Sequence, residues 1–183
     1  MRRRDLNRSS SSTLAANHSC ILRQQNHFTV ILNLRAELIY YLVPMKSLPE
    51  YLELATVAHG HLCAGQILGV RLTMLGLQEL GINDPIADRK RLVTFVEIDR
   101  CVTDAVALVA NCRLGKRALK FRDWGKVAAT FCDLETGRAV RIAAKESSKQ
   151  AARELFPELP REEGQQKAYA QLSDDVLFSK EWV

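Results

Sequence analysis

The chain is organised around His59-Gly60-His61-Leu62-Cys63-Ala64-Gly65, which runs directly into the apolar segment of residues 66–80. Apolar side chains recur along this segment at helical spacing, and Gly81 follows it as a typical helix-ending residue. The pattern predicts a long, largely buried central helix over residues 62–80. Small residues near its start, among them Gly65 and Gly69, allow another backbone to approach closely.

Two imidazoles and one thiol stand within five residues at the start of this segment. Zinc and similar transition metals prefer such ligands, whereas a packing role would favour apolar side chains. In a strand, His59, His61 and Cys63 would share one face, and in a helix His59 and Cys63 would lie one turn apart. A helix N-terminus here would also lower the pKa of the Cys63 thiol. The cluster predicts a metal or thiol site, and the ordinary alternative is solvated histidines beside a buried structural cysteine.

The formal net charge of +5 is unevenly distributed along the 183 residues. Residues 1–44 contain six arginines, no lysine and two acidic residues, whereas residues 45–183 contain 20 basic and 19 acidic residues. The second part is nearly neutral, which argues against a nucleic-acid binder with a basic face. Residues 1–44 are predicted to be a disordered or non-native N-terminal extension, with an arginine-rich targeting peptide as the alternative. Residues 45–183 are predicted to form a single domain.

Five cysteines, at positions 20, 63, 101, 112 and 132, form an odd set without the regular spacing of a secreted disulfide scaffold. This usage predicts a reducing, cytoplasmic environment. The apolar stretch of residues 28–43 is interrupted by polar residues, and its about 16 residues fall short of the roughly 20 that a spanning helix needs. We therefore expect neither a membrane nor a nucleic acid as a partner.

Helical and strand periodicities predict an α+β fold, in which an antiparallel or mixed sheet packs against the long central helix and C-terminal helices. A first helix is expected after Ser47, with Ser47 as its cap and Glu50 in its first turn. A short helix is predicted over residues 104–110, capped by Thr103 or Asp104. The remaining predicted elements are strands over 90–99, 118–121, 127–134 and 138–143, the last three as an antiparallel meander, and helical stretches over 146–155 and 160–178.

Four further residues are candidates for the site. Cys101 follows the predicted strand over residues 90–99, a position where ligands of α/β layers gather. Cys112 lies eleven residues later, across the predicted short helix, and this is not the two-residue spacing of a zinc ribbon. Lys116 and Lys126 each follow a glycine at a predicted turn. They would either supply positive charge to a cysteine site or be ordinary surface lysines.

Four ordered motifs carry a family resemblance, and they are His59-Gly60-His61-Leu62-Cys63 and the segments 99–105, 111–116 and 123–126. In this order and at these separations they resemble the E-subunit family of formylmethanofuran dehydrogenase over roughly residues 50–143. The chain departs from the family pattern at Ala64, where a proline is usual, and around Cys112. Many relatives add a C-terminal zinc-finger module with paired cysteines, whereas no cysteine follows Cys132 here. The resemblance is therefore to the core domain.

The resemblance implies an α+β domain that forms a homodimer and has a metal-associated or cysteine-lined pocket. It does not imply formylmethanofuran chemistry, because the molybdenum or tungsten cofactor of that complex belongs to other subunits. The expected cofactor is a divalent transition metal, zinc by its ligand types. The expected role is metal handling or support of a molybdenum or tungsten oxidoreductase partner. The candidate metal ligands are His59, His61, Cys63, Cys101 and Cys112.

The competing hypothesis is a cysteine-dependent enzyme for sulfur or acyl transfer. A low-pKa thiolate at Cys63 or Cys101 would be its nucleophile, with His61 as the base and Asp104 orienting that base. A third interpretation is an accessory subunit whose cysteines are only structural.

Overall fold

The computed structural model describes residues 45–183, so the predictions for residues 1–44 lie outside the described residues. Six α-helices and a five-stranded mixed sheet occupy this range, and the predicted α+β class is confirmed. The helices are α1 (Leu48–His59), α2 (Ala64–Leu80), α3 (Cys101–Val109), α4 (Ser147–Leu155), α5 (Arg161–Gln171) and α6 (Asp174–Leu177). The strands are β1 (Leu92–Val96), β2 (Leu119–Phe121), β3 (Ala128–Asp133), β4 (Ala139–Ala144) and β5 (Phe178–Trp182).

Helix α1 begins as the sequence predicts, with Ser47 as its N-cap residue. The Ser47 N–H donates to the Glu50 carboxylate at 2.9 Å, which satisfies one of the free donors at the helix start. The helix ends at His59, where Gly60 adopts a left-handed φ of 91° and donates its N–H to the Thr56 carbonyl at 2.9 Å. Residues with a side chain rarely adopt this conformation, so the glycine makes the sharp turn toward α2 possible.

The five strands form one sheet in the order β2-β1-β3-β4-β5. Strand β1 pairs parallel with β2, and the other three pairings are antiparallel. The predicted antiparallel meander is therefore wrong for β2. The chain passes from β1 to β2 through helix α3, and a helical crossover of this kind brings the second strand back parallel to the first.

Strand β5 departs from the prediction of one helical stretch over residues 160–178. The structure divides this part of the chain into α5 and α6, and the strand follows. Phe178 is the buried residue of β5, and its other four side chains are exposed, so the strand lacks an alternating apolar pattern. Pairing with β4 defines this strand rather than its own sequence.

Helix α2 is the central element of the described residues, as predicted. Ten of its 17 residues are buried, and it ends at Gly81, which has a left-handed φ of 72°. It packs against α1, α3, α5 and the sheet strands β3 and β4. Neither α2 nor any other described helix has the length and apolarity required to span a membrane.

Two glycines let α2 approach its neighbours closely. A Cβ atom added at Gly69 would lie 2.8 Å from the backbone carbonyl oxygen of Val102 in α3. A Cβ atom added at Gly76 would lie 2.2 Å from the Phe131 ring in β3. Both distances are shorter than favourable contacts between non-bonded heavy atoms. The helix can therefore occupy this position only with glycine at these two sites.

A buried carboxylate closes the turn after β3. Asp133 is 1% exposed and accepts two hydrogen bonds from Arg91, at 3.0 and 2.7 Å. The Thr136 hydroxyl and the Glu135 N–H also donate to it. Hydrogen bonding to Arg91 is the main reason that the pKa of Asp133 is held well below its usual range.

We expect Gly76→Ala to lower the free energy of unfolding by about 1–3 kcal/mol, the usual cost of overpacking a core. A helical glycine in open space behaves in the opposite way, because alanine has the higher helix propensity. Urea denaturation followed by circular dichroism measures the change. Gly115→Ala is the matched control, since a Cβ atom there meets nothing within 4 Å. Equal stabilities of the two variants would contradict the close approach of α2 to β3.

Asp133→Asn should remove part of the acid sensitivity of the fold. Because the folded-state pKa is depressed, the carboxylate stabilises the fold above its unfolded pKa of about 4, and this contribution is lost as pH falls toward the folded-state value. We expect the wild type to lose more stability than Asp133→Asn between about pH 5 and pH 2. Thermal melts across this range measure the difference, with the exposed Asp99→Asn as control. Parallel pH profiles for wild type and Asp133→Asn would show that this carboxylate is unimportant.

Candidate metal centre

The loop between α1 and α2 brings three ligand atoms together. His59 is the last residue of α1, and Cys63 is the N-cap residue of α2. With His61 between them, their ligand atoms all lie within 4.8 Å of one another. The centroids of the two imidazole rings are 4.8 Å apart. His61 is exposed, whereas His59 and Cys63 are half-buried. The turn at Gly60 thus gathers two nitrogens and one sulfur, a donor set that zinc accepts.

Helix α3 delivers a second cysteine to the same place. It begins at Cys101, with Arg100 as its extended N-cap residue, and not at Asp104 as predicted. The start is earlier because the Thr103 hydroxyl donates to the Ile98 carbonyl and closes the turn after β1 instead of capping a later helix. Both predicted caps therefore lie within the first turn of α3.

Gly65 leaves the space in which Cys63 and Cys101 meet. A Cβ atom added at Gly65 would lie 3.2 Å from the Cβ of Cys101 and 3.7 Å from the Sγ of Cys63. Gln66 is 1% exposed, and its side-chain Nε2 donates to the Cys101 carbonyl oxygen at 2.8 Å. Gln66 is absent from the candidates that the sequence indicates, although an amide at the start of an apolar segment is a signal that could have revealed it.

Asp104 orients one of the two histidines. Its Oδ2 lies 3.0 Å from Nδ1 of His59, whose side chain is 18% exposed. With Nδ1 engaged, Nε2 is the nitrogen that His59 can offer to a metal, and metal-binding histidines commonly have this arrangement. The expectation that Asp104 orients His61 is wrong, because the carboxylate reaches the imidazole at the end of α1 instead.

The pKa of the Cys101 thiol is raised, mainly by burial and then by its contact with the Cys63 thiol. Burial disfavours the charged thiolate, and a second sulfur nearby disfavours it further. A thiol with a raised pKa is protonated at neutral pH and is a poor nucleophile. The surroundings of Cys101 therefore work against the low-pKa thiolate that the enzyme hypothesis places there.

Three predicted site residues lie elsewhere. Cys112 is 1% exposed and follows the far end of α3, a nine-residue helix, so about 13 Å of helix separates it from Cys101. Burial raises the pKa of Cys112 to about 11. Lys116 is exposed in a short 3-10 helix. Lys126 is exposed and donates its N–H to the Glu97 carbonyl. Among the described contacts, none of these residues hydrogen-bonds to the ligand cluster.

The sequence profile of the family described as "FmdE, Molybdenum formylmethanofuran dehydrogenase operon" matches residues 58–181. This range covers more than half of the chain and contains every residue of the cluster. The chain belongs to the FmdE family. The resemblance indicated by the four sequence motifs is thereby confirmed, and the FmdE match extends beyond them to strand β5.

Two proteins show what this FmdE chain is similar to. One is a tungsten formylmethanofuran dehydrogenase FmdE-like protein from Syntrophus aciditrophicus, whose crystal structure matches with a TM-score of 0.60 and 26% identity. The match covers 75% of this chain and 72% of that one. The other is a probable S-adenosyl-L-methionine-binding protein of Archaeoglobus fulgidus, 32% identical over 140 residues. The match covers 72% of this chain but only 38% of that relative.

We expect Asp104→Asn to weaken divalent-metal binding about 10- to 100-fold, the usual effect of removing a carboxylate that orients a metal-binding histidine. The substitution keeps the shape of the side chain and removes its charge. Competition with a chromophoric chelator at fixed pH measures the dissociation constant. Asp99→Asn is the matched control, because Asp99 is an exposed acid just before α3. Equal affinities of the two variants would exclude Asp104 from the site.

Proposed function

We propose that this FmdE protein binds a divalent transition metal, zinc by its donor set, through His59, His61 and Cys63. One observation carries the proposal: three ligand atoms lie within 4.8 Å of one another, and Asp104 holds one of the imidazoles. Ligand atoms around tetrahedral zinc lie roughly 3.5–4 Å apart, because each bond is about 2.0–2.3 Å long. A small rotation of the exposed His61 side chain accounts for the difference.

Cys101 is the proposed fourth donor. Its Cβ and the Sγ of Cys63 flank the same small space at Gly65, so its thiol is within reach of an ion bound to Cys63. The charge of an ion lowers the pKa of a neighbouring thiol and so opposes the effect of burial on Cys101. Four protein ligands would make the site structural, whereas three would leave a position for an exchangeable ligand.

The proposed role of the site is metal handling or support of a molybdenum or tungsten oxidoreductase. Support comes from the operon named in the family description and from the likeness to an FmdE-like protein named for a tungsten enzyme. We further propose a cytoplasmic homodimer, which sedimentation velocity tests directly. The S-adenosyl-L-methionine binding named for the Archaeoglobus relative is not carried over, because most of that relative lies outside the match.

A cysteine-dependent enzyme for sulfur or acyl transfer is the second candidate, and one observation favours it. Cys63 is the N-cap residue of the 17-residue helix α2, where free N–H groups and the helix dipole favour a thiolate. The His59–Asp104 pair in the same cluster supplies a base and the group that orients it. In this candidate Cys63 is the nucleophile, and Cys101 is not.

Elemental analysis of the purified protein separates the two candidates. We expect about one equivalent of zinc per chain in the wild type and its loss in Cys63→Ala and His61→Ala, because each variant lacks a donor atom. Cys132→Ala should retain the metal, since this half-buried cysteine of β3 is outside the cluster.

The opposite results are equally informative. A metal-free wild type in which the Cys63 thiol titrates well below about 8.5 would support the enzyme. A metal-free wild type with an ordinary thiol would contradict both candidates.

A further inference from the structure

A cavity of about 410 Å³ opens where β1 and β2 end, and none of its lining residues belongs to the metal cluster. Three aromatic side chains, Phe95, Phe121 and Trp124, line it. They are 47%, 48% and 58% exposed, although large aromatic side chains normally stabilise a fold by being buried. Exposed aromatic residues that share a concave surface are typical of binding sites.

The cavity also has an excess of positive charge. Lys120 and Arg122 line it, together with the acidic Glu97. The Glu97 carboxylate is held by Arg141 through hydrogen bonds of 2.6 and 2.7 Å, and this pairing lowers the pKa of Glu97. Since Arg141 already compensates Glu97, the charges of Lys120 and Arg122 are available to an incoming anion.

The rim that carries Trp124 is fixed by its backbone. The Trp124 N–H donates to the Glu97 carbonyl at 2.9 Å. The next residue, Gly125, has a left-handed φ of 66° and donates its N–H to the Asp123 carboxylate at 2.8 Å. The Arg122 guanidinium lies over one face of the indole, 5.1 Å from the ring centroid. The indole is therefore positioned before a ligand arrives, which lowers the entropic cost of binding.

The geometry points to a binding site for a planar aromatic molecule that carries a carboxylate or phosphate group. The ring stacks on the indole of Trp124, and the acidic group pairs with Lys120 and Arg122. The volume of about 410 Å³ falls within the range of small-ligand pockets. An extended peptide fits less well, because the edge strand β2 offers only three residues for pairing.

Titration of the full chain with 2-naphthoate and 2-naphthamide, followed by ligand-observed NMR, tests this inference. The two probes share one ring system and differ in charge. We expect 2-naphthoate to bind with a dissociation constant on the order of 1 mM or lower, as its size allows. It should bind about tenfold more tightly than 2-naphthamide, because it alone makes a charge-assisted hydrogen bond. Equal affinities for the two probes would overturn the inference.

Variants separate the aromatic and the ionic contributions. Trp124→Ala should weaken both probes about three- to tenfold, through the loss of ring stacking. Lys120→Gln combined with Arg122→Gln should abolish the preference for 2-naphthoate and leave the affinity for 2-naphthamide unchanged. Both substitution sets lie at solvent-accessible positions, so circular dichroism should show unchanged folding.

Trp182→Ala is the matched control. Trp182 is also about half exposed and lies beneath an arginine, with Arg138 at 4.5 Å from its ring centroid. This variant should bind both probes as the wild type does. Wild-type affinity in Trp124→Ala would overturn the inference. So would a homodimer that Trp124→Ala dissociates in sedimentation velocity, since a second copy of the chain would then occupy the cavity.

Discussion

The close approach of helix α2 to helix α3 is the constraint on which the rest of the structure depends. Gly69 faces the backbone of α3 without a side chain between them, and the start of α2 therefore lies beside the start of α3. Cys63 and Cys101, at these two starts, meet across Gly65. Asp104 is three residues beyond Cys101, on the same face of α3, and it contacts His59. One face of α3 thus positions both ends of the loop that carries the ligands.

Local patterns were sufficient for the features that depend on neighbouring residues. Ser47 and Gly81 mark helix ends through hydrogen bonds that close within a few residues. The grouping of His59, His61 and Cys63 also follows from the sequence, because a turn of a few residues keeps them close in any backbone conformation. The long apolar segment that becomes α2 has a periodicity that no alternative element would need.

Features that depend on pairing between distant segments were not accessible in the same way. The direction of β2 follows from its crossover through α3, and β5 exists because β4 offers it an edge. The partner of Asp104 is 45 residues away along the chain, and two histidines in one loop were equivalent until the fold chose between them. Cys112 was grouped with the ligands by residue type, although the intervening helix carries it into the apolar core.

The compactness of the ligand cluster along the chain has a thermodynamic consequence. Its donors span only five residues, so an unfolded chain can also gather them around an ion. A bound ion stabilises a fold only through the difference between its affinities for the folded and the unfolded chain. Here that difference comes from the groups that folding adds, Asp104 and Cys101. The polypeptide would therefore fold without the ion, unlike a zinc finger, whose folding requires its metal.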